Sequence, residues 1–270
     1  MGVLFIRPIL LLCIAVVLTF WGEGSVNAAD GIQPGEKILV IGGTGRTGRL
    51  IVETLDQQNA DVAGLTRDTA KAAVNISSEY KWLQGDVRDE DSLLSAMTDV
   101  DLVVFAATAT FGGGNGNTPE TVDNQGVKYA TDAAKAVGAR HMILISSMGV
   151  TDKDHPMNKA MNNMLLHKLA GEDYLRASGL PYTIIRPGGL IDTLEGNKGV
   201  FFSQGDIVRS GLIRRKDLVP VVTGALGNAD AFNKTFEVFG FDSGAPGGAV
   251  PEGGAGEWPV SFADLRPDTP

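Results

Sequence analysis

The 270-residue chain contains a single cysteine, Cys13, which lies in an apolar N-terminal segment. The body of the protein therefore has no disulfide, no thiolate nucleophile and no cysteine metal site. Histidine is nearly as scarce. His141, His155 and His167 are scattered, with no pair four residues apart. They read as surface or packing residues, and no metal site is expected. An excess of positive charge is missing too. The formal net charge is −9, whereas a nucleic-acid binder presents a basic face, so no nucleic-acid partner is expected. No internal repeat is visible, and the length allows one large α/β domain with at most a small appendage.

One long apolar run exists, at the N-terminus. Residues 1–28 read as an address, either a signal peptide or a membrane anchor. Arg7 gives a weakly basic start, Ile9 to Phe20 form an apolar core, and Val26-Asn27-Ala28 offers small residues for a signal peptidase. An uncleaved anchor, associating with a membrane through residues 9–21, is the alternative. Pro8 and the break at Gly22-Glu23-Gly24 argue against a core helix. Arg7 before the segment and acids after it place the folded domain on the trans side. The expected location is exported or anchored, in a periplasm or an organelle, with the cytoplasmic face as the alternative.

The stretch that organises the rest is Lys37-Ile-Leu-Val-Ile-Gly-Gly-Thr-Gly-Arg-Thr-Gly-Arg49. Ile38 to Ile41 read as a buried strand, and Leu50, Ile51 and Leu55 recur at helical spacing. Between them Gly42, Gly45 and Gly48 stand three residues apart. The first glycine permits a tight turn, the second lets backbone approach a pyrophosphate, and the third lets helix and strand pack closely. Free N–H groups at the helix start then face the phosphates. This is a dinucleotide-binding turn, with Thr44, Arg46 and Thr47 as its remaining contact residues. Nicotinamide cofactors are mainly intracellular or intra-organellar, which stands in tension with an export signal.

Strands and helices alternate from there. Strands are predicted at Lys37–Ile41, Asp61–Thr66, Tyr80–Gln84, Asp101–Ala106, His141–Ser146 and Tyr182–Arg186. Helices are predicted from the glycine turn to about Gln58, at Pro119–Val137 and, as one long element, at Met157–Ser178. The fold class is α/β, a Rossmann-like doubly wound parallel sheet in the order 3-2-1-4-5-6 with a small C-terminal extension. The NAD(P)-binding domain spans 36–241 and includes a small substrate-side lobe over about 187–241. In that lobe Lys216–Ala225 reads as a helix, with Pro220 tolerable only near its first turn, and Thr235–Phe239 as a strand. Residues 242–270 form a Gly/Pro-rich tail whose Trp258, Phe262 and Leu265 are placed to dock on the body.

The end of the second strand selects the adenosine half of the cofactor. An acid there suits the ribose of NAD, an arginine the 2′-phosphate of NADP. Here Arg67 ends the strand and Arg46 sits in the glycine turn, which points to NADP(H) ahead of NAD(H). A surface ion pair between Arg67 and Asp68 is the alternative. After the third strand, Asp86 and Val87 are candidates for the adenine, with a helix N-cap as the other reading of Asp86. Ala106, which ends the fourth strand, and Ala107 after it are further cofactor-binding candidates. Phe111-Gly-Gly-Gly-Asn-Gly116 beyond them reads as a mobile flap at the nicotinamide end, or as a merely flexible loop.

The turn Gly42-Gly-Thr-Gly-Arg-Thr-Gly48, Asp86, Ala106-Ala107, Ser146-Ser147-Met148-Gly149 and Tyr174-Leu-Arg-Ala-Ser-Gly-Leu-Pro-Tyr-Thr-Ile-Ile-Arg-Pro-Gly-Gly189 together resemble the atypical short-chain dehydrogenase/reductase superfamily. The likeness is to its NmrA-like and NAD(P)-binding branches, over about Lys37 to Phe239. The resemblance implies a Ser and a Tyr-x-x-x-Lys whose phenol serves as general acid. Lys168 fits the lysine place, but Met164 stands where the tyrosine would be. Ser147 is the nearest serine, with Met148 in the usual catalytic slot. Ser147 and Lys168 are thus the candidate catalytic residues, and Lys168 is also a candidate for the nicotinamide ribose or, alternatively, part of a solvated helix face. Tyr174, six residues past Lys168, faces another direction and reads as core. Two functions fit. One is a reductase passing hydride to a small conjugated acceptor such as a flavin, quinone or tetrapyrrole, as the biliverdin and flavin reductases that lack the tyrosine do. The other is a non-catalytic NADP(H)-binding redox sensor or membrane-complex assembly factor with a protein partner.

Overall fold

The computed structural model describes residues 31–110, 112, 114–192, 200–208, 211–240 and 261–269. The predicted address at 1–28, Phe111, most of the tail and Trp258 lie outside the described residues. Six parallel strands form the heart of the sheet: β1 (Lys37–Ile41), β2 (Asp61–Thr66), β3 (Lys81–Gln84), β4 (Leu102–Phe105), β5 (His141–Ile145) and β6 (Tyr182–Pro187). Their order is 3-2-1-4-5-6. The lobe adds β7 (Gly189–Ile191), β8 (Val200–Ser203), β9 (Leu212–Arg214) and β10 (Lys234–Gly240). β10 runs parallel to β6 and antiparallel to β8 and β9. Of these four only β10 is anticipated by the sequence, because three- and four-residue strands show too few alternations to declare a period.

Helices cover both faces. They are α1 (Arg46–Gln57), α2 (Thr69–Asn75), α3 (Glu90–Ala96), a π-helical turn at Glu120–Gln125 running into α4 (Gly126–Ala136), α5 (Pro156–Ala160), α6 (Met164–Ala177) and α7 (Arg215–Ala225). The central strands β1, β4 and β5 are almost wholly apolar because alternate side chains feed two cores. Ile38, Val40, Leu102, Val104, Ile143 and Ile145 pack with Ile51, Val52 and Leu55 of α1 and Leu218 and Val222 of α7. Leu39, Ile41, Val103, Phe105, Met142 and Leu144 pack with α3, α4 and Leu175 of α6.

The single long helix expected at Met157–Ser178 is two helices. Asn162 and Asn163 adopt left-handed φ values of 49° and 57°, which asparagine tolerates better than most residues. Buried Asn158 then closes the gap, its Oδ1 accepting from the backbone N–H of Leu165 at 3.0 Å. Pro220 lies at the sixth residue of α7, beyond the first turn where it was expected to be tolerable. Its ring is exposed, so the helix interrupts its hydrogen-bond ladder where water can satisfy the orphaned carbonyl.

The last segment is a strap. Leu265 is 2% exposed, and Phe262 packs against Phe202 and Phe236. Asp268 accepts from Thr235 N at 3.1 Å, from Thr235 Oγ1 at 2.6 Å and from the Tyr182 hydroxyl at 2.9 Å. The end of the chain thereby fastens β6 to β10.

His141 is a packing residue, fully buried on β5. Its Nδ1 accepts from Gly227 N at 3.1 Å, so Nε2 carries the proton toward Thr183 Oγ1 at 3.0 Å. Burial, with the Arg140 charge adding repulsion, pushes its pKa down to about 3. In the unfolded chain the ring ionises near 6.5. Its contribution is therefore fully present above pH 6.5 and is lost as pH falls from there toward 3. The loss approaches about 1.4 kcal/mol per pH unit. Urea unfolding between pH 7 and 5 should show this extra slope in the native protein and lose it in His141→Gln.

Candidate functional site

The site forms where the C-terminal ends of β1, β4 and β5 meet the starts of α1 and α6. β1 ends in a turn with Gly42 at φ 82°, closed by Gly45 N donating to Gly42 O at 2.9 Å. A Cβ on Gly42 would stand 2.7 Å from the backbone nitrogen of Ala107, so the loop after β4 passes directly over the turn. A Cβ on Gly48 would overlap the Gly42 carbonyl oxygen. Backbone meets backbone at both positions.

α1 begins after Gly45 with no side-chain cap and no acid in its first turn. A missing cap costs about 1 kcal/mol. Fully buried Ile51, Val52 and Leu55 contribute about 1.5–3 kcal/mol each, so packing holds the helix without it. Its first N–H groups stay open to an anion. Thr44, Gly45 and Arg46 are exposed beside them, and Thr47 is buried.

Arg67 is exposed at the end of β2 and within electrostatic reach of Asp86. It makes no ion pair with Asp68, which instead caps α2 by accepting from Lys71 N at 2.9 Å. Arg46 pairs with Asp192, beyond β7, at 3.0 Å. Asp86 is not a helix cap; Asp89 caps α3. Both Asp86 oxygens are engaged by Arg88, at 2.9 and 2.5 Å. That guanidinium holds the Asp86 carboxyl below the usual carboxylate range. Arg88 also donates to Asn115 O, and Thr121 Oγ1 to Gly116 O at 2.6 Å, so the described part of the glycine loop is tethered. Val87 packs between the α4 side of the core and the loop after β4.

A narrow, nearly closed cleft lies between β4, β5 and α6, lined among others by Ala107, Asp123, Ser146 and Lys168. Asp123, on the π-helical turn, is 2% exposed. Its Oδ1 accepts from Lys168 Nζ at 2.8 Å and Thr108 Oγ1 at 2.8 Å, and its Oδ2 from Ala109 N at 3.0 Å. Lys168 is therefore no solvated residue; its side chain is 11% exposed. π-helical turns are frequent at functional sites, and this one aims Asp123 inward.

The serine facing the cleft is Ser146, whose buried Oγ has no hydrogen-bond partner. Ser147, the expected candidate, turns its hydroxyl to the Met148 carbonyl at 3.1 Å. β5 ends at Ile145, and the strand's alternation decides which of two adjacent serines looks inward. Met164 opens α6 and is buried with Ala109 and Val122. Tyr174 is not core as expected. It is half-buried, and its hydroxyl donates to Asp132 at 2.8 Å, away from the cleft.

Residues 42–229 match the NAD(P)H-binding family. The chain belongs to that family. It is an atypical short-chain dehydrogenase/reductase of the NmrA-like kind. The protein is 33% identical to an uncharacterised chloroplastic protein of Arabidopsis thaliana, over 79% of this chain and 72% of that one. It is 30% identical to sanguinarine reductase of Eschscholzia californica, over 84% of this chain and 94% of the other. A structure described as a putative NAD-dependent epimerase/dehydratase from Bacillus halodurans superposes with a TM-score of 0.68 at 26% identity, covering 79% of this chain and 97% of that one.

Asp123, Ser146 and Asp192 are the site residues that sequence reading missed. Asp123 sits inside a helical pattern without a signal of its own, and Asp192 is 146 residues from its partner Arg46. Since Gly48 has no room for a side chain, Gly48→Ala should abolish NAD(P)H binding and lower the melting temperature. Cofactor fluorescence titration and circular dichroism would check both.

Proposed function

We propose that this NAD(P)H-binding protein is an NADP(H)-dependent reductase that passes hydride to a small conjugated acceptor, such as a flavin or quinone, without a tyrosine general acid. One observation carries the reading: among the described residues the polar groups lining the cleft are Asp123, Ser146 and Lys168, with no phenol, while Met164 lies buried one helical turn before Lys168. The open turn and uncapped start of α1 fit a dinucleotide, and a reduced nicotinamide, when bound, supplies the hydride. Arg46 and Arg67 would hold the 2′-phosphate, and Asp86 the adenine amino group. Of the three donors on Lys168 Nζ, Asp123 takes one. The other two, with the unpartnered Ser146 hydroxyl, suit the ribose hydroxyls or an acceptor oxygen.

Reduction of a plain ketone or aldehyde develops charge on one oxygen, and a placed acid contributes about 10²–10⁴-fold to such a step. An acceptor that delocalises the incoming charge loses little by its absence. The relative named sanguinarine reductase supports a reductase role. Residues 1–28 would then address the protein to an organelle or anchor it, in line with the chloroplastic relative. No helix among the described residues is long and apolar enough to cross a membrane.

The purified protein should bind NADPH more tightly than NADH and reduce flavins or quinones far faster than simple aldehydes. Tyr174→Phe should leave turnover unchanged, and Lys168→Met should lower it at least tenfold. Aldehyde reduction abolished by Tyr174→Phe would refute the proposal. Tight NADPH binding without turnover on a flavin and quinone panel would favour the sensor or assembly-factor role.

A further inference from the structure

The phosphate-binding turn carries a contact that no dinucleotide site requires. Arg46, first residue of α1, reaches across to Asp192 at 3.0 Å, and Asp192 leaves the end of β7 in the substrate-side lobe. The second oxygen of Asp192 is held by Arg215, first residue of α7, at 2.7 Å. The two arginines differ in freedom. The Arg46 side chain is 73% exposed and that of Arg215 only 9%. Asp192 is thus moored to α7 by a buried guanidinium, and Arg46 is the partner that can leave. α1 itself has no acid in its first turn, so a carboxylate brought from another element supplies negative charge there.

We infer that Asp192 is a specificity-determining residue that competes with the cofactor's 2′-phosphate for Arg46. The inference rests on the reading that Arg46 serves that phosphate. A phosphate dianion recruits Arg46 only by withdrawing it from Asp192, and it meets a fixed carboxylate nearby as it does so. NADH has no 2′-phosphate and is indifferent to the exchange. The contact therefore narrows the preference for NADPH that Arg46 and Arg67 create. The exchange also loosens one tie between the glycine turn and the substrate-side lobe whenever the phosphorylated cofactor binds, while Arg215 keeps Asp192 in place.

Exposed ion pairs are weak, so the effect is modest: removal of the Asp192 charge should tighten NADPH about twofold to fivefold. The test is calorimetric titration of the full chain with NADPH, NADH, adenosine 2′,5′-bisphosphate and 5′-AMP. The variants are Asp192→Asn, Asp192→Ser, Arg46→Ala and the Asp192→Asn/Arg46→Ala pair. Both Asp192 variants should tighten NADPH and the bisphosphate while NADH and 5′-AMP stay unchanged, and the gain should vanish in the Arg46→Ala background. If Arg46→Ala leaves the NADPH preference intact, the assignment of Arg46 to the 2′-phosphate fails first. If Arg46→Ala erases the preference but neither Asp192 variant alters NADPH affinity, only the competition fails. Equal changes for all four ligands would mean that Asp192 acts by supporting α7, and would also overturn it.

Discussion

The structure depends on one close approach, the backbone of Gly48 lying on the carbonyl of Gly42 while Gly42 lies under Ala107. Three elements meet there with no side chain between them. The contact sets the distance of α1 from β1 and holds the loop after β4 across the top of the turn. It also leaves the first N–H groups of α1 facing outward, which creates the anion site. The buried stripe of α1 then carries the stability that a capping side chain would otherwise supply.

At the other end of the cleft the constraint is electrostatic. Asp123 ties the loop after β4, the π-helical turn and α6 together through Thr108, Ala109 and Lys168. With both charges nearly out of water, removing one partner would leave the other uncompensated, a loss of about 3–5 kcal/mol in comparable pairs. The pair therefore holds the lysine at the cleft as firmly as packing holds its neighbours. A second buried cluster anchors the C-terminal lobe. Arg186 of β6 is held by Glu172 at 2.7 Å and lies 3.4 Å from Glu237 of β10. Asp206 binds the loop after β5 through Gly149 N and Thr151. Burial raises the Glu237 carboxyl above its usual value, against the pull of Arg186. The lobe is thus joined to the parallel sheet by charge as well as by the β6–β10 ladder.

Much of the fold was written locally. Runs such as Leu102–Phe105 and Met142–Ile145 are apolar at successive positions because helices cover both faces, and that pattern is legible without coordinates. The glycine spacing at 42, 45 and 48 declares the phosphate turn in the same local way, and at Gly42 and Gly48 only a residue without Cβ fits. Motif and flanking periodicity are properties of a few neighbouring residues. The break at Asn162–Asn163 was less legible, since a helical pattern continues on both sides and only the pair of left-handed asparagines interrupts it.

What the sequence by itself determined about this protein is the parallel sheet, its order and the dinucleotide turn. Tertiary structure alone decided which side chains share the cleft. Ser146 rather than Ser147 lines the cleft with Lys168 because the alternation of β5 turns it inward, and the Tyr174 hydroxyl finds Asp132 outside the cleft. Asp123 finds Lys168 across 45 residues, and Asp192 reaches Arg46 from the far lobe. Such partners carry no period and no spacing along the chain. They are chosen by distance in space, and that exists only after the two cores have brought the strands and helices together.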